Sequence, residues 1–435
     1  MYSEEQSRQL YERAKRVVPR GTHSDSRVRT PHPRYFVRGD GAWVVDADGN
    51  RWLDCVMGNG AIILGHAHPP VTQAVEQQLR SGLGAGLESE LSVLVAEQFL
   101  AQVRTAERVR FANTGTEAIT HAIAMARART GKSDIAKAEG SYHGWSDFVY
   151  VSVFHRVQEA GDPACPNSVA GMAGLNPAAV QSTLVLPFND ADHTERLLRA
   201  NAHRLAAVVV EPVMIDIGWV PARADYLQRL REITAELGIV LIFDELLTGF
   251  RVAPGGAQEH YRVTPDLSIF GKALGNGYVI AAVAGAADIM DPVSGPRPAF
   301  VGTFNGHQTS LAASHVVLEL LADGSVQRRL QARTYNLIEQ FDEAARRAGV
   351  AAKLAGGGGH FHWYFTDREV TDYRSAASSD PTACKIFARS LDEHGVICSP
   401  AALQHHAISA AHGDAEIEHL LSAMRIGLAE VARAA

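Results

Sequence analysis

Leu267-Ser-Ile-Phe-Gly-Lys-Ala-Leu-Gly-Asn-Gly277 ends an apolar run in one lysine, Lys272, set among small residues. Water solvates a lysine poorly there, and desolvation lowers its pKa toward the neutral amine that forms an imine with a carbonyl compound. Val240-Leu-Ile-Phe-Asp-Glu245 ends in two acids, with Asp244 directly after buried positions. A buried carboxylate needs a cationic partner. A protonated ring nitrogen supplies one, and keeping it protonated makes the ring an acceptor for carbanion charge. Phe111-Ala-Asn-Thr-Gly-Thr-Glu-Ala118 puts Gly115 and Thr116 between a strand and a helix N-terminus, where free N–H groups and the helix dipole suit a phosphate. Glu139-Gly-Ser-Tyr-His-Gly-Trp145 offers Tyr142 as a flat aromatic face, with His143 next to it.

Each segment alone has an ordinary explanation. The Gly-Thr turn could be a helix cap, the Tyr-His-Trp stretch a packed cluster, and Asp244 the cap of the next turn. Together, an amine, a partner for a ring nitrogen, a phosphate turn and a stacking face are what one pyridoxal 5'-phosphate (PLP) needs.

The elements that must position these residues read as α/β. Arg108–Phe111, Ala206–Val210, Ile239–Phe243 and Leu267–Phe270 are candidate buried strands, with candidate helices Thr116–Arg129 and Tyr226–Leu237 between them. Such alternation predicts a mostly parallel sheet flanked by helices, with ligands gathering at the carboxyl ends of its strands. Ahead of it, Ser3 and Gln6 have capping-box spacing for a first helix that leads into Leu10 and Val17. Arg20 to Arg38 reads as an ordered loop, and residues 42–56 read as a hairpin about Asp48-Gly49. After it, helices at Gln308–Leu321, Gln327–Ala345, Thr382–His394 and Asp414–Ala432 surround a strand at His360–Phe365, a smaller α+β lobe in which Ser375–Asp380 reads as a flexible tip. The chain therefore divides into an N-terminal segment (residues 1–69) serving the small lobe and the site entrance, a large cofactor-binding domain (70–310) and a C-terminal small domain (311–435). There is no internal repeat.

With 435 residues, 46% hydrophobic and 20% charged, the chain can bury a full core, and its net charge of -7 argues against a nucleic-acid or anionic-membrane partner. Apolar runs such as Val279–Ala287 are about half of the ~20 residues a membrane span needs. Cys55, Cys165, Cys384 and Cys398 are too widely spaced for a zinc site and read as free thiols of a cytoplasmic protein. Gly131-Lys-Ser133 resembles the end of a P-loop, but Ala126 stands where the loop needs glycine, and no complete G-x-G-x-x-G occurs. The pairs His66/His68, His360/His362 and His405/His406 lack an H-E-x-x-H or cysteine context, so core or pocket histidines fit better than metal ligands. A ligand-sensing regulator would need a DNA-binding module, for which the chain has neither spare length nor a basic segment.

In order along the chain, Asp46-Ala-Asp-Gly-Asn50, Leu64-Gly-His-Ala-His-Pro69, Asn113-Thr-Gly-Thr-Glu117, Tyr142-His-Gly, Glu211-Pro, Asp244-Glu, Gly271-Lys and Gly302-Thr-Phe-Asn-Gly306 resemble the class-III aminotransferases of PLP fold type I. That resemblance implies a seven-stranded-type, mostly parallel sheet in the large domain. It also implies that Lys272 carries PLP as a Schiff base, Asp244 binds the ring nitrogen, Tyr142 stacks on the ring with Leu246 on its other face, and Gly115 and Thr116 hold the phosphate. Gly302 and Thr303 would reach the phosphate in the partner subunit, making the active unit a homodimer. An amine donor would displace Lys272, the freed lysine would move the α-proton, and pyridoxamine 5'-phosphate would then pass the amino group to a carbonyl acceptor, with ping-pong kinetics.

Within the family, Gly21-Thr-His-Ser-Asp-Ser-Arg27, Pro187-Phe-Asn-Asp190 and Thr248-Gly-Phe-Arg-Val252 are similar to the glutamate-1-semialdehyde aminomutase branch, which implies that Ser24 and Arg27 hold a substrate carboxylate. Arg27 could equally be a surface arginine in a loop. Other positions depart from the branch: Asn59 replaces an aromatic residue, Asp216 an Asn and Gln404 a Glu, bulky His405 and His406 follow, and Asn276 and Gln308 also differ. Asp25, Glu88 and Asp216 near one pocket would favour a substrate with extra ammonium groups. The expectation is an aminotransferase of specialised metabolism, acting in antibiotic biosynthesis on an amino-sugar or aminoglycoside intermediate or an unusual amino acid. The alternatives are glutamate-1-semialdehyde 2,1-aminomutase and a D- or β-amino-acid aminotransferase.

Overall fold

The computed structural model describes residues 2–84, 86–292, 297–399 and 401–434. Its centre is a seven-stranded sheet in the order Arg108–Ala112, Ala281–Gly285, Leu267–Gly271, Val240–Asp244, Leu205–Val210, Asp134–Ala138 and Thr183–Leu186. Every strand is parallel to the others except Ala281–Gly285, which runs antiparallel to both neighbours. The expected strands and helices are present, with ends displaced by at most three residues. Strands such as Leu205–Val210 and Val240–Asp244 are buried along their whole length, as a sheet covered on both faces requires.

This topology places Asn113, Glu139, Glu211, Asp244 and Lys272, each at or just past the carboxyl end of a strand, along one edge of the sheet. The helix Gly115–Thr130 starts at that edge. The Thr114 side chain caps it by accepting from the Glu117 amide at 3.2 Å, and Gly131 ends it in the left-handed conformation (φ 68°). Gly131-Lys-Ser133 is thus a helix C-terminus.

Two small sheets complete the fold. Phe36–Asp40, Trp43–Asp46 and Arg51–Asp54 form an antiparallel meander about the Gly49 turn, and Val396–Ile397 adds in parallel to Arg51–Asp54, so chain segments from both ends share one sheet. Lys353–Gly357, His360–Tyr364 and His406–Ala407 form the other. The long helices Ser325–Ala348, Pro381–Glu393 and Asp414–Ala434 pack around them through Leu337, Phe341, Phe387, Leu420 and Leu428. Among the described residues no helix is long and apolar enough to cross a membrane.

Two local expectations fail. The first helix runs Glu5–Ala14, stops short of Val17, and has no capping box. Its first-turn amides find a partner across the fold: Gln6 and Ser7 N–H donate to the Asp48 carboxylate at 2.6 and 3.0 Å, and Ser3 N–H turns to Asn50. Ser375–Asp380 is not a bare tip either. Asp372 and Ser375 form a capping box for the turn Tyr373–Ala376, buried Tyr373 stacks on His155 at 4.7 Å, and the neighbouring Arg374 binds Glu139 at 2.8 Å. Asp48→Ala removes the cross-fold cap, which is worth about 1 kcal/mol. Hydrogen exchange over Glu5–Ala14 should then quicken roughly fivefold, and unchanged exchange would show that the cap carries no load.

Candidate functional site

Asp244 is 4% exposed and leaves its strand pointing into a polar cluster. His143, fully buried, donates from Nδ1 to Asp244 Oδ2 at 2.7 Å, while its Nε2 lies 3.0 Å from Ser141 Oγ. The Leu246 amide donates to the other carboxylate oxygen at 3.1 Å. Burial lowers the pKa of His143 and the Asp244 charge opposes that shift.

Lys272 follows the next strand at φ 45°, a strained value for a side chain with a Cβ. It is half-buried. Desolvation pulls its pKa below the usual lysine value, against the opposing fields of Asp216, Asp244 and Glu211. Leu246 fills the notch between this strand end and the phosphate-type turn: a Cβ on Gly115 would come within 2.3 Å of Leu246 Cδ1, and one on Gly271 within 2.6 Å of Cδ2. A side chain at either position would have to displace Leu246. The Gly115 and Thr116 amides begin the helix and so have no intrahelical acceptor. Thr116 Oγ1 accepts from the Trp145 amide at 3.4 Å.

Tyr142 is held from behind, because its amide donates to Glu211 Oε1 at 3.0 Å. Its ring meets Tyr150 edge-on, with centroids 6.0 Å apart. Burial, then the Asp216 charge, pushes its hydroxyl pKa up to about 12, so the ring stays neutral. Burial, with Asp216 and Asp244 nearby, holds Glu211 well above the ordinary carboxyl range. Asp216 is raised too, by burial first, with Lys272 pulling it back down.

Asp216 is therefore the one expected substrate residue that lies within electrostatic reach of both Lys272 and Tyr142. Asn59 is exposed at φ 53°, and its backbone, not its side chain, faces His405. Gln404 turns away: its side chain accepts from Ser399 and its carbonyl from His362 Nδ1 at 3.0 Å. Ser24 bonds Ser26 at 2.9 Å, and Arg27 is exposed with no carboxylate partner among the described residues. Asp25, paired with Arg20 at 2.7 Å, acts on Tyr150 and so sits on the Tyr142 side. Glu88 lies elsewhere. It shares an open groove of about 730 Å³ with Gly302, Thr303 and Phe300. Asn276 and Gln308 serve as loop ties: Asn276 bonds Leu64 N and Gly65 O at 2.8 and 3.2 Å, and Gln308 accepts from Ser89 at 2.9 Å.

The sequence reading names Glu211 only within the Glu211-Pro match, without a role, and passes over Lys137 altogether. Glu211 ends an apolar strand as Asp244 does, and the same rule applied there would have found it. Lys137, wholly buried in Asp134–Ala138, donates to Val151 O at 2.7 Å and lies in the field of Glu211. One lysine inside an otherwise apolar strand was its signal.

The profile of the family described as aminotransferase class-III matches residues 25–421. A glutamate-1-semialdehyde 2,1-aminomutase from Methanothermobacter thermautotrophicus is 38% identical over 418 residues, covering 96% of this chain and 97% of its own. The crystal structure of an omega-transaminase from Sphaerobacter thermophilus superposes with a TM-score of 0.92 at 37% identity, covering 98% of this chain and 97% of the other. A transaminase with PLP bound superposes with a TM-score of 0.90 at 30% identity, covering 100% and 99%.

Burial lowers the pKa of Lys137 to about 7, against about 10.4 for a lysine in the unfolded chain. Between these values the unfolded state binds the extra proton, so stability rises with pH. From pH 7 to pH 9 the wild type should gain about 2 kcal/mol relative to Lys137→Met in denaturant melts, and parallel pH curves would show that the buried amine does not titrate there.

Proposed function

The chain belongs to the class-III aminotransferases and is a PLP-dependent transaminase, and from that premise we propose that Lys272 is its cofactor lysine and that its substrate is a polar amine of specialised metabolism. An amino-sugar or aminoglycoside intermediate, or an unusual amino acid, is the class meant. The observation that carries this reading is the convergence of a depressed lysine, a histidine-bound buried aspartate and a free helix N-terminus on one edge of the sheet.

The donor set suits the cofactor. Asp244, held by His143, is the partner for the ring nitrogen, the Gly115 and Thr116 amides are donors for the phosphate, and Leu246 and Tyr142 are its two faces. Bound PLP supplies an electron sink for charge developing at the substrate carbon. Lys272, kept toward the neutral amine by burial, holds and moves the proton at that carbon. Asp244 would pair with the ring nitrogen, and Tyr142 would exclude water from one face. Gly302 and Thr303 are exposed between Val301 and Phe304, themselves 78% and 59% exposed. That uncovered apolar loop supports a homodimer in which Gly302 and Thr303 complete the partner's site.

Asp216, within electrostatic reach of Lys272, supports a substrate with an ammonium or hydroxyl group there. A second reading, the aminomutase, is favoured by the 38% identity to the archaeal relative of that name and by the retained Ser24 and Arg27. Fast isomerisation of glutamate-1-semialdehyde, with amino sugars and simple amino acids leaving the cofactor spectrum unchanged, would decide for it. A borohydride-reduced sample should carry its pyridoxyl label on Lys272, and a label elsewhere or none refutes the assignment. Asp244→Asn should lower kcat by about 100-fold or more, the scale on which a preorganised electrostatic partner contributes, and a loss under threefold would remove Asp244 from its role.

A further inference from the structure

Asp216 and His405 stand 189 positions apart (405 minus 216) and face each other in the fold, with His405 Nδ1 3.7 Å from Asp216 Oδ1. His405 is 3% exposed. Behind it His360 is fully buried and meets it edge-on, with ring centroids 4.8 Å apart. None of the four ring nitrogens makes a well-formed hydrogen bond among the described residues, although the Asn59 backbone lies beside His405 and the His406 backbone beside His360. Both rings feel the Lys272 charge, and Asp216 keeps 15% of its side chain open. His360 lies close against Gly60, where a Cβ would come within 2.3 Å of its Cε1, and the Trp219 ring lies nearly parallel to it with centroids 6.5 Å apart.

Two buried imidazoles whose nitrogens are at best weakly tied to backbone, beside a buried carboxylate, leave hydrogen-bonding capacity that calls for a partner. Clustered histidines suggest a metal, but among the described residues no three His, Cys, Asp or Glu side chains are placed to hold one. A neutral imidazole offers one donor and one acceptor. A hydroxyl answers both. A carboxylate only accepts and would be repelled by Asp216, and an ammonium only donates.

We propose that His405, backed by His360, is a specificity-determining residue that hydrogen bonds a hydroxyl of the amine substrate, while Asp216 keeps a carboxylate out of the same place. The inference rests on Lys272 being the cofactor lysine. It narrows the substrate to hydroxylated amines of the amino-alcohol and amino-sugar class.

The test gives the holoenzyme paired amine donors that differ in hydroxyl content, ethanolamine against propylamine and glucosamine against cyclohexylamine, with β-alanine as the carboxylate arm. In the wild type kcat/KM should favour the hydroxylated member of at least one pair by about tenfold or more, the scale of one directed hydrogen bond, and β-alanine should be the poorer substrate beside ethanolamine. His405→Phe should collapse that ratio toward one, and His405→Gln, which keeps a donor and an acceptor, should restore part of it. No preference in either pair, no reaction with any of the five donors, a ratio that survives His405→Phe, or a preference for β-alanine over ethanolamine overturns the proposal. Borohydride labelling of the same preparation separates the two readings. A labelled Lys272 without hydroxyl preference sinks this inference alone, and an unlabelled Lys272 sinks the assignment beneath it.

Discussion

Asp244, Glu211 and Asp216 crowd the carboxyl edge of the sheet in a region largely closed to water. Asp244 raises the pKa of both neighbours, Asp216 raises that of Glu211 further, and both act on Lys272. Like charges in a low-dielectric interior cannot all ionise without partners. The surroundings are arranged to meet that demand: His143 donates to Asp244, the Tyr142 and Ile215 amides donate to Glu211, Lys137 stands behind it, and Lys272 stands in front of Asp216. Taking away any one member leaves a buried charge or donor exposed to the rest, so cofactor chemistry and local stability are tied to one cluster.

The backbone around this cluster is strained in the same region. Asn59, Phe250, Lys272 and Asn276 all have positive φ without being glycine, and Gly115 and Gly271 yield their Cβ space to Leu246. Surrounding hydrogen bonds hold the strain. Asn276 ties residues 64 and 65, and Arg251, fully buried, donates to the Gly358 carbonyl at 3.1 Å and to the Gly60 carbonyl. Those contacts join the loop after the first meander, the large sheet and the small lobe, which brings His360 and His405 up to Lys272. The small lobe thus places two histidines, far from the lysine in sequence, within its electrostatic reach.

The strands and their chemistry were legible early because each rests on a local rule. A buried parallel strand reads as a continuous apolar run, and a charged residue just past its end is conspicuous against it; Lys272 and Asp244 stand out in this way. The Gly115–Thr116 turn was legible as a strand-to-helix junction. Glu211 obeys the same rule, while Lys137 breaks the apolar pattern from inside a strand.

What the sequence determined by itself is the alternation of strands and helices, the residues at the strand ends and, through their ordered resemblance, the family. Tertiary structure alone decided which of the altered positions meet. Asp216 and His405 do, while Glu88 and Gln404 turn elsewhere, Arg27 stays exposed without a partner, and Asn276 proves to be a loop tie. It also decided that Asp48 caps the first helix, where Ser3 has the right spacing but turns to Asn50. The physical reason is range. Helix and strand periods are set by neighbours within a few residues, whereas the partner of a buried polar atom is whatever the folded chain brings within about 3 Å of it.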